Sequence, residues 1–340
     1  MHPGPARPWS SAWRDAALGP RGFYTAGGGA RPGPAAYFRT SVHVGDSLHR
    51  AVARLVHGVD ERLGRPARLD LVDVGAADGG LLTGVLAALA PELAARTRAV
   101  GVDVRARPAG LDAAVSWVEG EAPAAVPGDL HGLLLAHEWL DDVPLDVVQV
   151  DDAGRARLVL VHEDGHEVPG PALDEPAGWS GHGLDAGRTA DWLDRYAELE
   201  EPGDRAEVGL ARDLAWAALV SRVARGTVLA VDYATPSTAR DRTLTGVGAR
   251  GARVAPVPDG SVNLTAHVRF DSLRDAVPGT SLARQADALA ALGVDPRLPD
   301  PALATSDPAA YADALVRASE ASELLDPAGL GAFTWARVDV

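Results

Sequence analysis

The sequence predicts an α/β fold, a mostly parallel central sheet with helices on both faces and an antiparallel last strand. Three observations carry this. Short runs too apolar for a half-solvated strand recur along the chain, as Leu69-Asp-Leu-Val-Asp-Val74, residues 98–104, Gly132-Leu-Leu-Leu-Ala136 and Thr227-Val-Leu-Ala-Val-Asp232. Helical periodicity fills the stretches between them. Several runs close on an acid, at Asp73, Asp103 and Asp232, which is where the carboxyl edge of a parallel sheet binds ligands.

The elements follow in chain order. Residues 1–40 are rich in Pro, Gly and aromatics (Trp9, Trp13, Phe23, Tyr24, Tyr37, Phe38), a composition suited to wrapping a domain. Residues 47–59 have apolar positions at helical spacing. Residues 1–60 therefore read as an arm and helix wrapping a core, and 61–340 as the α/β domain. Strand 69–74 leads into a helix over 79–95, then strands 98–104 and 114–118. Val147 to Val150 and Arg157 to Val161 flank Asp152-Ala-Gly154 as a hairpin. Residues 163–186 read as a Gly- and Pro-rich loop. Helices are expected over 187–199 and 207–224, and a long Arg- and Gly-rich loop over 234–262. Helix 270–276, strand 281–284, helices 285–292 and 309–324 and a strand from 333 to 338 complete the chain. The insertions at 138–205 and 234–262 are expected to form a lid over the carboxyl edge of the sheet.

The chain has 340 residues, 46% of them hydrophobic, enough to bury a large core. Its net charge of −15 argues against nucleic acid and anionic membrane surfaces as partners. Without cysteine, disulfides and thiolate metal sites are excluded. Every Lys+Arg position is arginine and isoleucine is missing, the mark of a codon bias toward G and C. No stretch approaches 18 unbroken apolar residues, and a soluble cytoplasmic protein is the simplest expectation. His131, His137, His162, His166 and His182 lack metal-ligand spacing, and no metal is assigned.

The chemistry concentrates at Asp73-Val-Gly75-Ala76-Ala-Asp-Gly79-Gly80. Gly75 permits a tight turn, and Gly79 and Gly80 let backbone N–H groups and a helix N-terminus approach a polar ligand. Asp103 ends the neighbouring strand, where a carboxylate can accept two hydrogen bonds from ribose hydroxyls. Asp73 can meet an ammonium group or order the loop. A dinucleotide needs a glycine where Ala77 stands, and Asp78 would repel its diphosphate. Acids around the turn suit a cation without phosphate. S-adenosyl-L-methionine, with a sulfonium and an ammonium, fits better than NAD.

Further segments resemble the MidA-like family of S-adenosylmethionine-dependent methyltransferases, of the DUF185 type, whose mitochondrial members methylate an arginine on a complex I subunit. Ala17-Leu-Gly-Pro-Arg-Gly-Phe-Tyr-Thr25 is similar to Ala-Leu-Tyr-Pro…Gly-Tyr-Tyr-Thr, and Tyr37-Phe-Arg-Thr-Ser41 to Gly-Asp-Phe-x-Thr-Ser. His137-Glu-Trp-Leu-Asp-Asp-Val-Pro144 resembles Asn-Glu-Phe-Phe-Asp-Ala-Leu-Pro, and Leu229-Ala-Val-Asp-Tyr233 the Asp-Tyr-Gly strand. Asn263-Leu-Thr-Ala-His-Val-Arg-Phe270 resembles Asp-Leu-Thr-Ala-His-Val-Asp-Phe, with Gln285 at the glutamine that follows. The resemblance spans nearly the whole chain. It implies a Rossmann-like class I methyltransferase sheet that binds S-adenosyl-L-methionine through Asp73, Gly75, Ala76, Gly79, Asp103 and Glu138. The chain departs from the family's pattern at Ala36-Tyr37, Val42-His43-Val44-Gly45, His137, Ala234, Asn263 and Arg269. These departures spare the glycine turn and fall on the acceptor side.

Methyl transfer to a guanidinium needs carboxylates that clamp it and a group to take its proton. Glu138, at the end of a buried strand, is the first candidate. Asp141 and His267 are the others, His267 as general base, with Asp232 and Tyr233 as floor. Asp142 follows Asp141 on the same turn, and the structural alternatives are that Asp141 or Asp142 caps a helix or turn and that His267 is a hydrogen-bonded structural histidine. The leading expectation is a methyltransferase acting on a protein arginine. A catalytically silent assembly factor and a small-molecule methyltransferase are the alternatives, and an NAD enzyme is the weakest.

Overall fold

The computed structural model describes residues 4–25, 40–235, 242–248 and 251–340. Tyr37 and Phe38 of the N-terminal segment, the departure at Ala36-Tyr37, and residues 236–241, 249 and 250 of the Arg- and Gly-rich loop lie outside them. The chain forms two compact units. One comprises residues 33–139, 218–233 and 278–340, the other 1–32, 140–217 and 234–277.

The first unit holds a seven-stranded sheet. Its strands are β1 (Leu69–Val74), β2 (Thr97–Asp103), β3 (Val115–Glu119), β4 (Leu130–His137), β5 (Val223–Asp232), β6 (Ser281–Arg284) and β7 (Thr334–Asp339). Their order is β6-β7-β5-β4-β1-β2-β3. The five strands from β5 to β3 run parallel, and β7 and β6 close the edge antiparallel. Every residue of β1 is buried, as expected of a strand covered on both faces. Helices α1 (Asp46–Arg62) and α2 (Gly80–Ala88) pack on this sheet through Leu48, Val52, Val56, Leu82 and Val85. A crossover from β1 to β2 carries the glycine turn, so the turn lies at the carboxyl edge.

The second unit is antiparallel. Residues Asp146–Val150 and Ala156–Val161 form the expected hairpin around Asp152-Ala-Gly154. The strand Arg205–Val208 pairs with the first of them and Glu167–Ala172 with the second. The helix Trp9–Leu18 buries Trp9 and Trp13 against Val147, Val159, Leu264 and Ala266. A small sheet joins Thr245–Val247 to Arg253–Val254 and to Asn263–Thr265.

Three expectations are corrected. The helix read over 79–95 ends at Ala88, and a separate turn begins at Pro91. Pro91 lacks an N–H and forces Ala90 out of the helical region. The loop read over 163–186 contains the strand Glu167–Ala172 and the helix Pro176–Ser180. Pro169 hides that strand from sequence, since proline is tolerated on a sheet edge. The helix read from 207 starts at Leu210, because Arg205–Val208 is a strand.

Candidate active site

The glycine turn is built by three left-handed residues. Gly75 has φ +70°, Ala77 +55° and Gly79 +76°. At Gly75 an added Cβ would also stand 2.9 Å from Trp139 Cδ1, so both conformation and space require glycine. Gly79 precedes the first residue of α2, leaving that helix's first N–H groups at the mouth of the turn. Ala76 is buried beneath it. The Ala77 N–H donates to Asp103 Oδ2 at 2.9 Å. This amide is therefore committed to a carboxylate where a dinucleotide site would offer it to phosphate.

Asp73 sits one residue before the end of β1, 4% exposed. Among the described residues no hydrogen-bond donor reaches its carboxyl. Burial, then the charges of Asp103 and Asp78, push its pKa up to about 8. Asp103, at the end of β2, is buried and pairs with Arg105, a residue the sequence reading passed over. Its only signal in sequence was a cation two positions after an acid.

Glu138 follows β4 with φ +51°, a conformation costly for a residue that carries a Cβ, held by its N–H donating to Val231 O at 2.8 Å. Its Oε1 accepts the Ser41 N–H at 3.4 Å and its Oε2 the Tyr233 hydroxyl at 3.5 Å. His137 Nδ1 lies 3.5 Å from Oε1. Burial pulls the His137 pKa down to about 4, so the ring is neutral near pH 7. The departure from asparagine to histidine thus adds no charge beside Glu138. Asp73, Gly75, Ala76, Gly79, Asp103 and Glu138 all belong to the first unit, at the carboxyl ends of β1, β2 and β4.

Asp141 and His267 belong to the second unit. Asp141 Oδ2 accepts the Thr265 hydroxyl at 2.7 Å, and its main-chain oxygen accepts Arg212 Nη2 at 2.6 Å. Burial raises its pKa. Neighbouring Asp142 is raised as well, by burial and by the charge of Asp141. Asn263 Nδ2 donates to Asp142 Oδ1 at 3.0 Å. The Tyr24 hydroxyl lies between Asp142 Oδ2 and Asn263 Oδ1, with one proton for two acceptors. A protonated Asp142 completes that triad.

His267 Nδ1 faces the Ala234 carbonyl at 3.0 Å, so Nδ1 donates and the neutral ring carries its lone pair on Nε2. Burial lowers its pKa. His267 lines a cleft with Trp192, Tyr196, Glu207, Thr235 and Arg269. The Glu207 carboxylate is already engaged by the Thr243 hydroxyl and by the N–H groups of Thr243 and Leu244. Arg212 is likewise committed, to the carbonyls of Asp141, Val143, Ala266 and His267. Among the described residues no group of three or more His, Asp or Glu is arranged to hold a metal, and no helix is long and apolar enough to cross a membrane.

A parallel sheet whose carboxyl edge carries a left-handed glycine turn between buried acids defines a Rossmann-like cofactor-binding α/β protein. The profile of a family described as "Putative S-adenosyl-L-methionine-dependent methyltransferase" matches residues 51–286, more than half of the chain. The protein belongs to this family and is a methyltransferase whose cofactor is S-adenosyl-L-methionine. Among solved structures it is similar to a COG1565 superfamily member from Burkholderia thailandensis bound to S-adenosyl-homocysteine, with 22% identity and a TM-score of 0.74. That match covers 99% of this chain and 88% of the other. A native structure of an uncharacterized COG1565 superfamily protein from the same organism gives 21% identity and a TM-score of 0.71, with the same coverage. At these identities the likeness is one of fold, that of the class I methyltransferases. No curated protein matches the chain.

Proposed function

We propose that this methyltransferase acts on the guanidinium of a protein arginine, with Glu138 as the carboxylate that holds the acceptor. The supporting observation is the left-handed backbone of Glu138 at the end of β4. Such strain persists where the surroundings impose it, and it gathers at functional sites. The methionine end of S-adenosyl-L-methionine finds a fitting group in the Asp73 carboxyl, which is buried and, among the described residues, accepts no hydrogen bond. Gly75, Ala76 and Gly79 keep the turn open to close approach, and Asp103 offers oxygens at the end of β2. When bound, the cofactor supplies an electrophilic methyl group on a sulfonium.

The remaining work falls to side chains. Ser41 N–H and Tyr233 hydroxyl aim the Glu138 carboxylate, and the neutral ring of His137 adds no positive charge beside it. A carboxylate so placed accepts two guanidinium N–H donors and draws positive charge away from the third nitrogen, the nucleophile. Within the second unit His267, neutral with Nε2 unprotonated, is the candidate general base, and Asp141 contributes to its charge environment. The proposed setting is the cytoplasm.

The test separates binding from transfer. Glu138→Gln is expected to hold S-adenosyl-homocysteine within a few-fold of wild type while slowing methyl transfer to an arginine-containing peptide library at least about 100-fold. Unchanged transfer by Glu138→Gln would overturn the clamp. Transfer by wild type to small hydroxyl or amine acceptors but to no peptide would replace the protein substrate.

A further inference from the structure

Among the described residues Asp103 accepts four hydrogen bonds. Oδ1 takes the Arg105 main-chain N–H at 2.9 Å and Arg105 Nε at 3.0 Å. Oδ2 takes the Ala77 N–H at 2.9 Å and Arg105 Nη2 at 3.2 Å. A carboxylate offers about four lone-pair sites, so this one is full. Two of the donors are main-chain amides fixed by the glycine turn and the end of β2. The other two form one edge of a guanidinium, a planar pair of N–H groups facing the two oxygens. A vicinal diol presents two O–H groups to a carboxylate in much the same way.

We propose that Arg105 is an internal stand-in for the cofactor's ribose: its guanidinium edge holds Asp103 until the 2′,3′-diol displaces it, two donors exchanged for two on the same carboxylate. This rests on the assignment of the ribose to Asp103. The local structure lets the side chain leave without the backbone. The Arg105 carbonyl accepts Trp117 Nε1 at 2.9 Å, which anchors residue 105 to β3. The Arg105 side chain is 18% exposed, so it has a route to water. The stand-in also has a purpose while the site is empty. Asp103 and Asp78 are each close enough to Asp73 to oppose its ionisation, and Arg105 neutralises Asp103. When a cationic ligand arrives, the departing guanidinium returns that negative charge to the pocket.

An occupied acceptor lowers apparent affinity by the fraction of molecules in which it is open. Isothermal titration with S-adenosyl-homocysteine would compare wild type with Arg105→Met, which keeps the apolar stem, and Arg105→Ala. Both variants are expected to bind about tenfold tighter, as for a site open one-tenth of the time. Adenosine should gain by the same factor, and 2′,3′-dideoxyadenosine, with no diol to exchange, should gain nothing. Equal or weaker binding of S-adenosyl-homocysteine by both variants would overturn the exchange, as would an equal gain for the two nucleosides. Failure of wild type and variants alike to bind S-adenosyl-homocysteine would instead remove the cofactor assignment on which the exchange rests.

Discussion

Asp73 makes cofactor binding depend on pH. With a pKa near 8 it is protonated at pH 6, and holding an ammonium requires it to ionise. Binding then releases a proton, so affinity for S-adenosyl-homocysteine should rise with pH between 6 and 8, by up to about tenfold per unit. Titration at pH 6, 7 and 8 checks this, and Asp73→Asn should be flat across the range. Asp73, Asp103 and Glu138 were legible in the sequence because each closes a run of strand residues, and strand ends are where a parallel sheet binds ligands. Arg105 was not, because its role depends on a side chain folding back onto its own strand end. The Tyr24–Asp142–Asn263 triad was illegible for another reason. Its members are 118 and 121 positions apart, and nothing local joins them. His137 read as a departure of unknown consequence until its burial showed it to be neutral.

At the scale of elements, the turn between β1 and α2 is the most constrained piece of backbone. Gly79 is left-handed at φ +76°, and a Cβ there would run into Leu111. Gly79→Ala should cost about 1–2 kcal/mol of stability in chemical denaturation, from the left-handed penalty alone. It should also weaken S-adenosyl-homocysteine binding, since the same Cβ narrows the approach to the α2 N-terminus. A neutral substitution on both readouts would mean that the turn relaxes freely. The parallel strands were readable because burial on both faces makes them apolar throughout. The antiparallel unit was harder, since its pieces break the usual patterns. Glu167–Ala172 holds two prolines and a glycine in six residues, and Arg205–Val208 runs without a visible break into a helical stretch. Pro91 was visible, but apolar periodicity continued through Leu93 and masked the helix end that the proline imposes.

For the whole molecule, buried acids decide how stability changes with pH. Unfolded, an aspartate titrates near 3.9. Folded, Asp73 titrates near 8, and Asp142 is raised in the same direction by burial and by Asp141. Between those pH values the folded chain binds protons that the unfolded chain has lost. Stability therefore falls as pH rises, by up to about 1.4 kcal/mol per unit for each such group. The net charge of −15 acts in the same direction through self-repulsion, so the slope alone does not identify the acids. Substitution does. Asn replaces a protonated aspartate at nearly equal shape and cannot ionise. The margin by which Asp73→Asn and Asp142→Asn each melt above wild type should widen by several degrees between pH 5.5 and pH 8.5. A surface control such as Asp112→Asn should leave the difference between the two pH values unchanged. If wild type melts at the same temperature at both, the two carboxyls ionise without penalty, and the rise of cofactor affinity with pH expected from Asp73 loses its basis.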